Sequence, residues 1–127
     1  MPTGYRPPQV SGVSSGTNAT DYVRNALYPE SLVKAWTYIT VTGGVPAITE
    51  DHNIASLTDN GVGDVTLTFA RAMATASYSL AGGGFNLGGS ISVMPTSMAT
   101  TTIRYDVRNS ADGASDVDHQ VIVCGRQ

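Results

Sequence analysis

Thr102-Ile103-Arg104-Tyr105-Asp106-Val107 decides the fold class. Ile103, Tyr105 and Val107 fall on one side of an extended chain, and Thr102, Arg104 and Asp106 on the other. Period two with β-branched and aromatic residues on one phase marks a strand with one face buried and one face wet. The same pattern runs outward in both directions. Upstream, Val33, Ala35, Thr37, Ile39 and Val41 alternate with Lys34, Trp36, Tyr38 and Thr40, and Gly43-Gly44 breaks the run. Val65, Leu67 and Phe69 share a phase behind the turn Asp59-Asn60-Gly61-Val62-Gly63-Asp64, whose Asn and Gly tolerate the positive φ of a tight hairpin. Weaker strands are read at His52 to Leu57, at Tyr78 and Leu80 before Gly82-Gly83-Gly84, and at Ile91 and Val93. Ser110 to Asp116 reads as a loop, and Val117, His119, Val121 and Val123 as the last strand. Short strands between turn clusters, with no helical crossover, predict an all-β chain: an antiparallel β-sandwich or Greek-key-like domain over residues 33–127.

Residues 1–32 read differently. Residues 1–20 have no apolar period and too little to bury, so they predict either a disordered tail or an extended arm that orders against a partner. Tyr5, Arg6, Pro7 and Pro8 are its candidate docking contacts. A short helix is predicted over 21–32, capped by Thr20 or Asp21, with Tyr22, Val23, Ala26 and Leu27 on one face and Pro29 ending it early.

Composition narrows the function. Charged residues make up 13% of the 127-residue chain against about 25% in ordinary domains, and Lys34 is the only lysine. A free monomer holds neighbours off with charge, so this poverty predicts a surface partly hidden in an assembly, the alternative being a Thr/Ser-rich β surface that is soluble as it stands. A net charge of −3 builds no basic stripe, so nucleic acid is not an expected partner. No apolar run is long enough to span a bilayer, and no basic-then-apolar signal pattern opens the sequence. Membrane insertion and export by that route are not expected. The single cysteine, Cys124, forms no intramolecular disulfide and reads as a buried small hydrophobe.

No catalytic set, metal site or cofactor site is predicted. The two histidines, His52 and His119, have no nucleophile elbow near them in the sequence. Asp116, Asp118 and His119 offer ligand atoms, but a strand sets the two aspartates opposite the histidine. The turn Asp59 to Asp64 could take a calcium ion, although an Asp-capped hairpin explains it more simply. Two glutamates, Glu30 and Glu50, are too little for a glycosidase groove. Gly82-Gly83-Gly84 reads as a flexible tip or a place of close backbone approach. Trp36 and Tyr38 share one face of their strand and, with Tyr78, are the candidate oligomer or ligand contacts. Exposed, they could stack on a sugar ring; buried, they are core or subunit interface.

From Lys34-Ala35-Trp36-Thr37-Tyr38-Ile39 onward the chain resembles a small C-terminal domain of phage tail-fibre and appendage proteins. Ile54, the Asp59–Asp64 turn, the strand Val65 to Phe69, Met73, Tyr78-Ser79-Leu80 and the closing Val121-Ile122-Val123-Cys124-Gly125 follow in that domain's order. The resemblance runs from Val33 to Gly125 and departs at Thr40-Val41-Thr42-Gly43-Gly44, where the family often has Phe-Asn-Gly. It implies a virion protein assembled in the host cytoplasm, a homotrimer at the outside of a particle. The chain would be a stand-alone knob, a tail fibre, head fibre or capsid decoration. Its residues 1–20 would dock on a capsid, collar or tail protein, and its knob could touch a host surface glycan.

Overall fold

The computed structural model describes residues 32–85 and 89–127. The arm contacts Tyr5, Arg6, Pro7 and Pro8 and most of the helix predicted over 21–32 lie outside these residues. Among the described residues eight strands follow in order: β1 (Val33–Thr42), β2 (Val45–His52), β3 (Ile54–Gly61), β4 (Asp64–Phe69), β5 (Ser79–Gly84), β6 (Ser92–Met98), β7 (Thr102–Arg108) and β8 (His119–Cys124). They form two four-stranded antiparallel sheets, ordered β2-β1-β8-β5 and β3-β4-β7-β6. The predicted β-sandwich is what the chain builds. Its second half is a Greek key that spans both sheets, because β8 returns to lie beside β5.

The central strands are the ones with clean alternation. Ala35, Thr37 and Ile39 of β1, Val65, Leu67 and Phe69 of β4, Ile103, Tyr105 and Val107 of β7, and Val121 and Val123 of β8 point inward and are buried. Each large side chain among them contributes about 1.5–3 kcal/mol by leaving water. Thr37 and His119 of β8 are the polar exceptions, and the Thr37 hydroxyl donates to the Glu50 carbonyl at 3.1 Å. β1 departs from the simple alternation at its start. The register slips between Val33 and Ala35, so Val33 turns outward and is 45% exposed.

The edge strands differ from the sequence expectation. The strand read from His52 to Leu57 is two strands, β2 and β3, meeting at a corner on Asn53. β2 hid from the reading because only Pro46 of it is buried, as befits an edge with water on both sides. Asn53 sits at φ 59°, a conformation asparagine tolerates. Its amide donates to the carbonyls of Lys34 and Arg71, each at 3.1 Å, and its oxygen accepts from the Arg71 amide at 2.7 Å. Replacing it removes three tertiary hydrogen bonds at once. Asn53→Ala is expected to cost about 2–3 kcal/mol, read as a lower urea midpoint with unchanged slope. A loss below about 0.5 kcal/mol would show that the corner holds itself.

The glycine run is not a flexible tip. It lies in β5, paired with β8, and its inward positions let the two sheets close on each other. A Cβ on Gly82 would stand 3.0 Å from Val93 of β6, and one on Gly84 would collide with Ile91.

The sandwich has two distinct ends. β1 begins, β8 ends and the Asn53 corner sits at one, where Phe69, Met73 and Tyr78 plug the core. The Phe69 amide donates there to the Thr101 carbonyl at 2.9 Å, and the Ala74 amide to Arg126 at 2.8 Å. At the other end lie the hairpins at Gly43-Gly44 and Gly61 to Gly63, and the connection from β7 to β8. That connection ties them together. The Asp118 carboxylate accepts from the Val41 amide and the Asp116 carboxylate from the Gly63 amide, both at 2.7 Å.

Candidate functional site

The outer face of the β2-β1-β8-β5 sheet carries the candidate site. Strand alternation sends Trp36 and Tyr38 to this side of β1, Gln120 and Ile122 to this side of β8, and Glu50 and His52 to this side of β2. The register lines them up in two rows across the strands. One row reads His52, Trp36, Ile122, Ala81; the other reads Glu50, Tyr38, Gln120, Gly83. Between Trp36 and Tyr38, about 7 Å apart along the strand, an open cleft of about 470 Å³ lies over Thr37. Val33, Glu50, Gln120, Val121 and Ile122 complete its lining. Phe85 follows β5 and leans over β8 until its ring centroid is 5.7 Å from that of Tyr38, at 53°.

This face is unusually apolar for a wet one. Trp36 is 38% exposed, Ile122 42%, Val33 45% and Phe85 57%. Such neighbouring apolar side chains, unlike scattered single ones, mark a contact surface. The outer face of the other sheet is the opposite. The Arg104 guanidinium grips the Asp64 carboxylate with two nitrogens, and Arg108 bridges Asp106 and Asp112. Arg104 thereby holds the Asp64 carboxyl below the usual carboxylate range. These pairs also neutralise Asp64 and Asp106, which stand directly opposite each other in the ladder.

Tyr78 does not join the face. It is buried, its ring meets Phe69 edge to face at 5.7 Å, and its hydroxyl lies 3.0 Å from both the Ala99 and the Thr102 carbonyls. It is a core residue that fastens the β6–β7 turn, and the ligand role read for it from the sequence is corrected. Cys124 is also corrected: it is half-buried on the outward phase of β8 rather than in the core.

The three potential ligands near the β8 start point apart. Asp116 and Asp118 are committed to backbone amides, and neither sits on a strand. His119 is buried, with Nε2 2.8 Å from the Tyr105 hydroxyl and Nδ1 2.8 Å from the Val117 carbonyl. A carbonyl only accepts, so Nδ1 carries the proton and Nε2 accepts from Tyr105. Burial pushes the His119 pKa down and the Tyr105 pKa up. In the Asp59 to Asp64 turn the Asp59 carboxylate accepts from the Gly61 amide at 2.9 Å, the geometry of an Asp-capped hairpin. Among the described residues no group of three or more His, Cys, Asp or Glu side chains is placed to hold a metal ion.

No protein-family model, curated protein or solved structure matches this chain. The site therefore rests on its own geometry. Trp36 and Tyr38 were legible as a co-facing pair, whereas Phe85, Val33, Glu50, Gln120 and Ile122 were not singled out. Ile122 alone left a signal: it is an isoleucine on the wet phase of β8.

Proposed function

We propose that this chain is a non-enzymatic structural protein of a phage particle. It forms an exposed knob of a tail fibre, head fibre or capsid decoration, built as a homotrimer in the host cytoplasm and docked through residues 1–20 to a capsid, collar or tail protein. The observation that carries the reading is the polarity of the sandwich. β1 starts and β8 ends at one pole, and the glycine hairpins stand at the other. A domain with that layout is held from its base and presents loops outward. The apolar outer face and the 13% charged content support association with like or unlike neighbours. The resemblance of Lys34-Ala35-Trp36 and the Asp59–Asp64 turn to phage appendage domains supports the particle as its setting.

Deleting residues 1–20 is expected to leave a cooperatively folding sandwich that no longer enters particles. The measurement is immunoblotting of gradient-purified virions alongside thermal unfolding of the shortened protein. A shortened chain that is incorporated at the normal level contradicts the docking role of the arm.

A second reading is a receptor- or glycan-binding tip. It is favoured by one observation: Trp36 and Tyr38 flank a cleft with Glu50 and Gln120 at its sides, so rings for stacking stand beside hydrogen-bonding groups. Binding of the isolated chain to host envelope glycans, lost in Trp36→Ala, supports it. Silence across the host's own envelope material removes it.

A further inference from the structure

We infer that the outer face of the β2-β1-β8-β5 sheet is the contact between copies of this chain, with Lys34 of one copy meeting Glu50 of the next. The inference rests on the homo-oligomer reading above and specifies the surface that would make it. Four observations carry it. Val33, Trp36, Phe85 and Ile122 are half of the large apolar side chains that stand exposed among the described residues, and all four border this one face. The opposite outer face is charged and internally paired through Arg104 with Asp64 and Arg108 with Asp106. The charges that flank the aromatic pair are instead a cation and an anion, Lys34 two residues before Trp36 on β1 and Glu50 opposite Tyr38 on β2. Among the described residues neither has an ion-pair partner within its own chain.

Lys34 precedes Trp36 by two residues, and Glu50 lies opposite Tyr38 in the ladder, so the cation stands beyond the Trp36 end of the aromatic pair and the anion beside its Tyr38 end. A face with an apolar centre and opposite charges at its two margins complements a rotated copy of itself. Rotation about an axis through the apolar centre brings each Lys34 margin against the Glu50 margin of a neighbour. A sugar in the cleft would use the rings and the polar groups but leave Lys34 and Phe85, neither of which lines the cleft, unexplained. A second copy uses all of them.

The full-length chain carries its own reporter, because Trp36 is the only tryptophan and lies at the centre of the face. Light scattering and tryptophan emission are followed across a dilution series for the wild type, Lys34→Glu, Glu50→Lys, the double exchange and Ile122→Thr. Circular dichroism of each variant confirms folding, which positions outside the buried core should preserve. The wild type is expected to show a multiple of the chain mass, with emission shifting red as dilution releases Trp36. Each single reversal sets like charges together and is expected to raise the dissociation constant at least about tenfold. The double exchange is expected to return it to within about threefold of the wild type, since every pair is restored with its signs swapped. Ile122→Thr is expected to dissociate the assembly without any charge change.

A wild-type oligomer that ignores the reversals and Ile122→Thr overturns this surface and leaves the homo-oligomer reading standing. Single reversals that dissociate without rescue in the double exchange overturn the Lys34–Glu50 pairing. A wild type that stays monomeric at every concentration, with emission fixed unless an oligosaccharide is added, overturns both the surface and the oligomer.

Discussion

Gly63→Ala is expected to destabilise the sandwich by more than about 3 kcal/mol, while Gly43→Ala costs about 1–2 kcal/mol. The two glycines have almost the same positive φ, 63° and 61°. An alanine strains both equally, which accounts for the smaller loss. Their surroundings differ. A Cβ on Gly43 would meet nothing within 4 Å, whereas one on Gly63 would lie 2.5 Å from the Val107 carbonyl oxygen and 2.7 Å from the Ser115 amide nitrogen. Gly63 also accepts from the Val107 amide at 2.7 Å and donates to Asp116. Relieving the clash means pulling the β3–β4 hairpin off β7 and off the connection that ties the loop pole together. Urea unfolding of both variants reads the difference directly. Equal losses would show that only backbone strain matters at Gly63 and that the packing described here is not what holds the hairpin.

Tyr105→Phe is expected to cost about 1–3 kcal/mol, although it removes a single oxygen atom. Among the described residues the lost hydroxyl is the one hydrogen-bond donor to His119 Nε2, and both side chains are buried, at 0% and 1% exposure. The phenylalanine variant strands an acceptor where no water reaches it. The same pair gives the fold an acid dependence. Burial holds the folded-state pKa of His119 below its ordinary value of 6.5, against the weaker pull of the Val117 carbonyl, Asp118 and Asp116. Between those two values the unfolded chain binds the proton and the folded chain does not. Stability is therefore full above pH 6.5 and falls as the pH drops below it, by up to about 1.4 kcal/mol per unit from this group. His119→Leu is expected to be less stable at pH 7.5 and to lose that part of the slope between pH 6.5 and 5. A variant with the wild-type slope would assign the acid sensitivity to other groups.

What the sequence revealed follows from where each strand sits. β1, β4, β7 and β8 are flanked on both sides by other strands and have one buried face, so burial imposes period two on their residues. Ile103, Tyr105 and Val107 show this most plainly. β2, β3, β5 and β6 are edges, where water reaches most positions and alternation fades. β5 carries glycine where a pattern would need side chains, because Ile91 and Val93 occupy the space. The candidate face was half legible for the same reason. Trp36 and Tyr38 share a phase that any strand would give them, but Val33 was placed inside because a register slip is invisible in composition. Phe85 reaches Tyr38 across β8, a contact set by sheet order rather than by spacing in the chain. Tyr78 was misplaced because a tyrosine serves core and surface alike until its hydroxyl finds its partners.

Association through the apolar sheet face is tested most directly by the mass of the purified full-length chain in solution. One chain weighs 13.2 kDa. Light scattering at micromolar concentration is predicted to give about 40 kDa, three chains, falling toward the monomer on dilution. A mass of one chain that persists at the highest soluble concentration would contradict the account, leaving the Trp36 face for a partner other than a second copy.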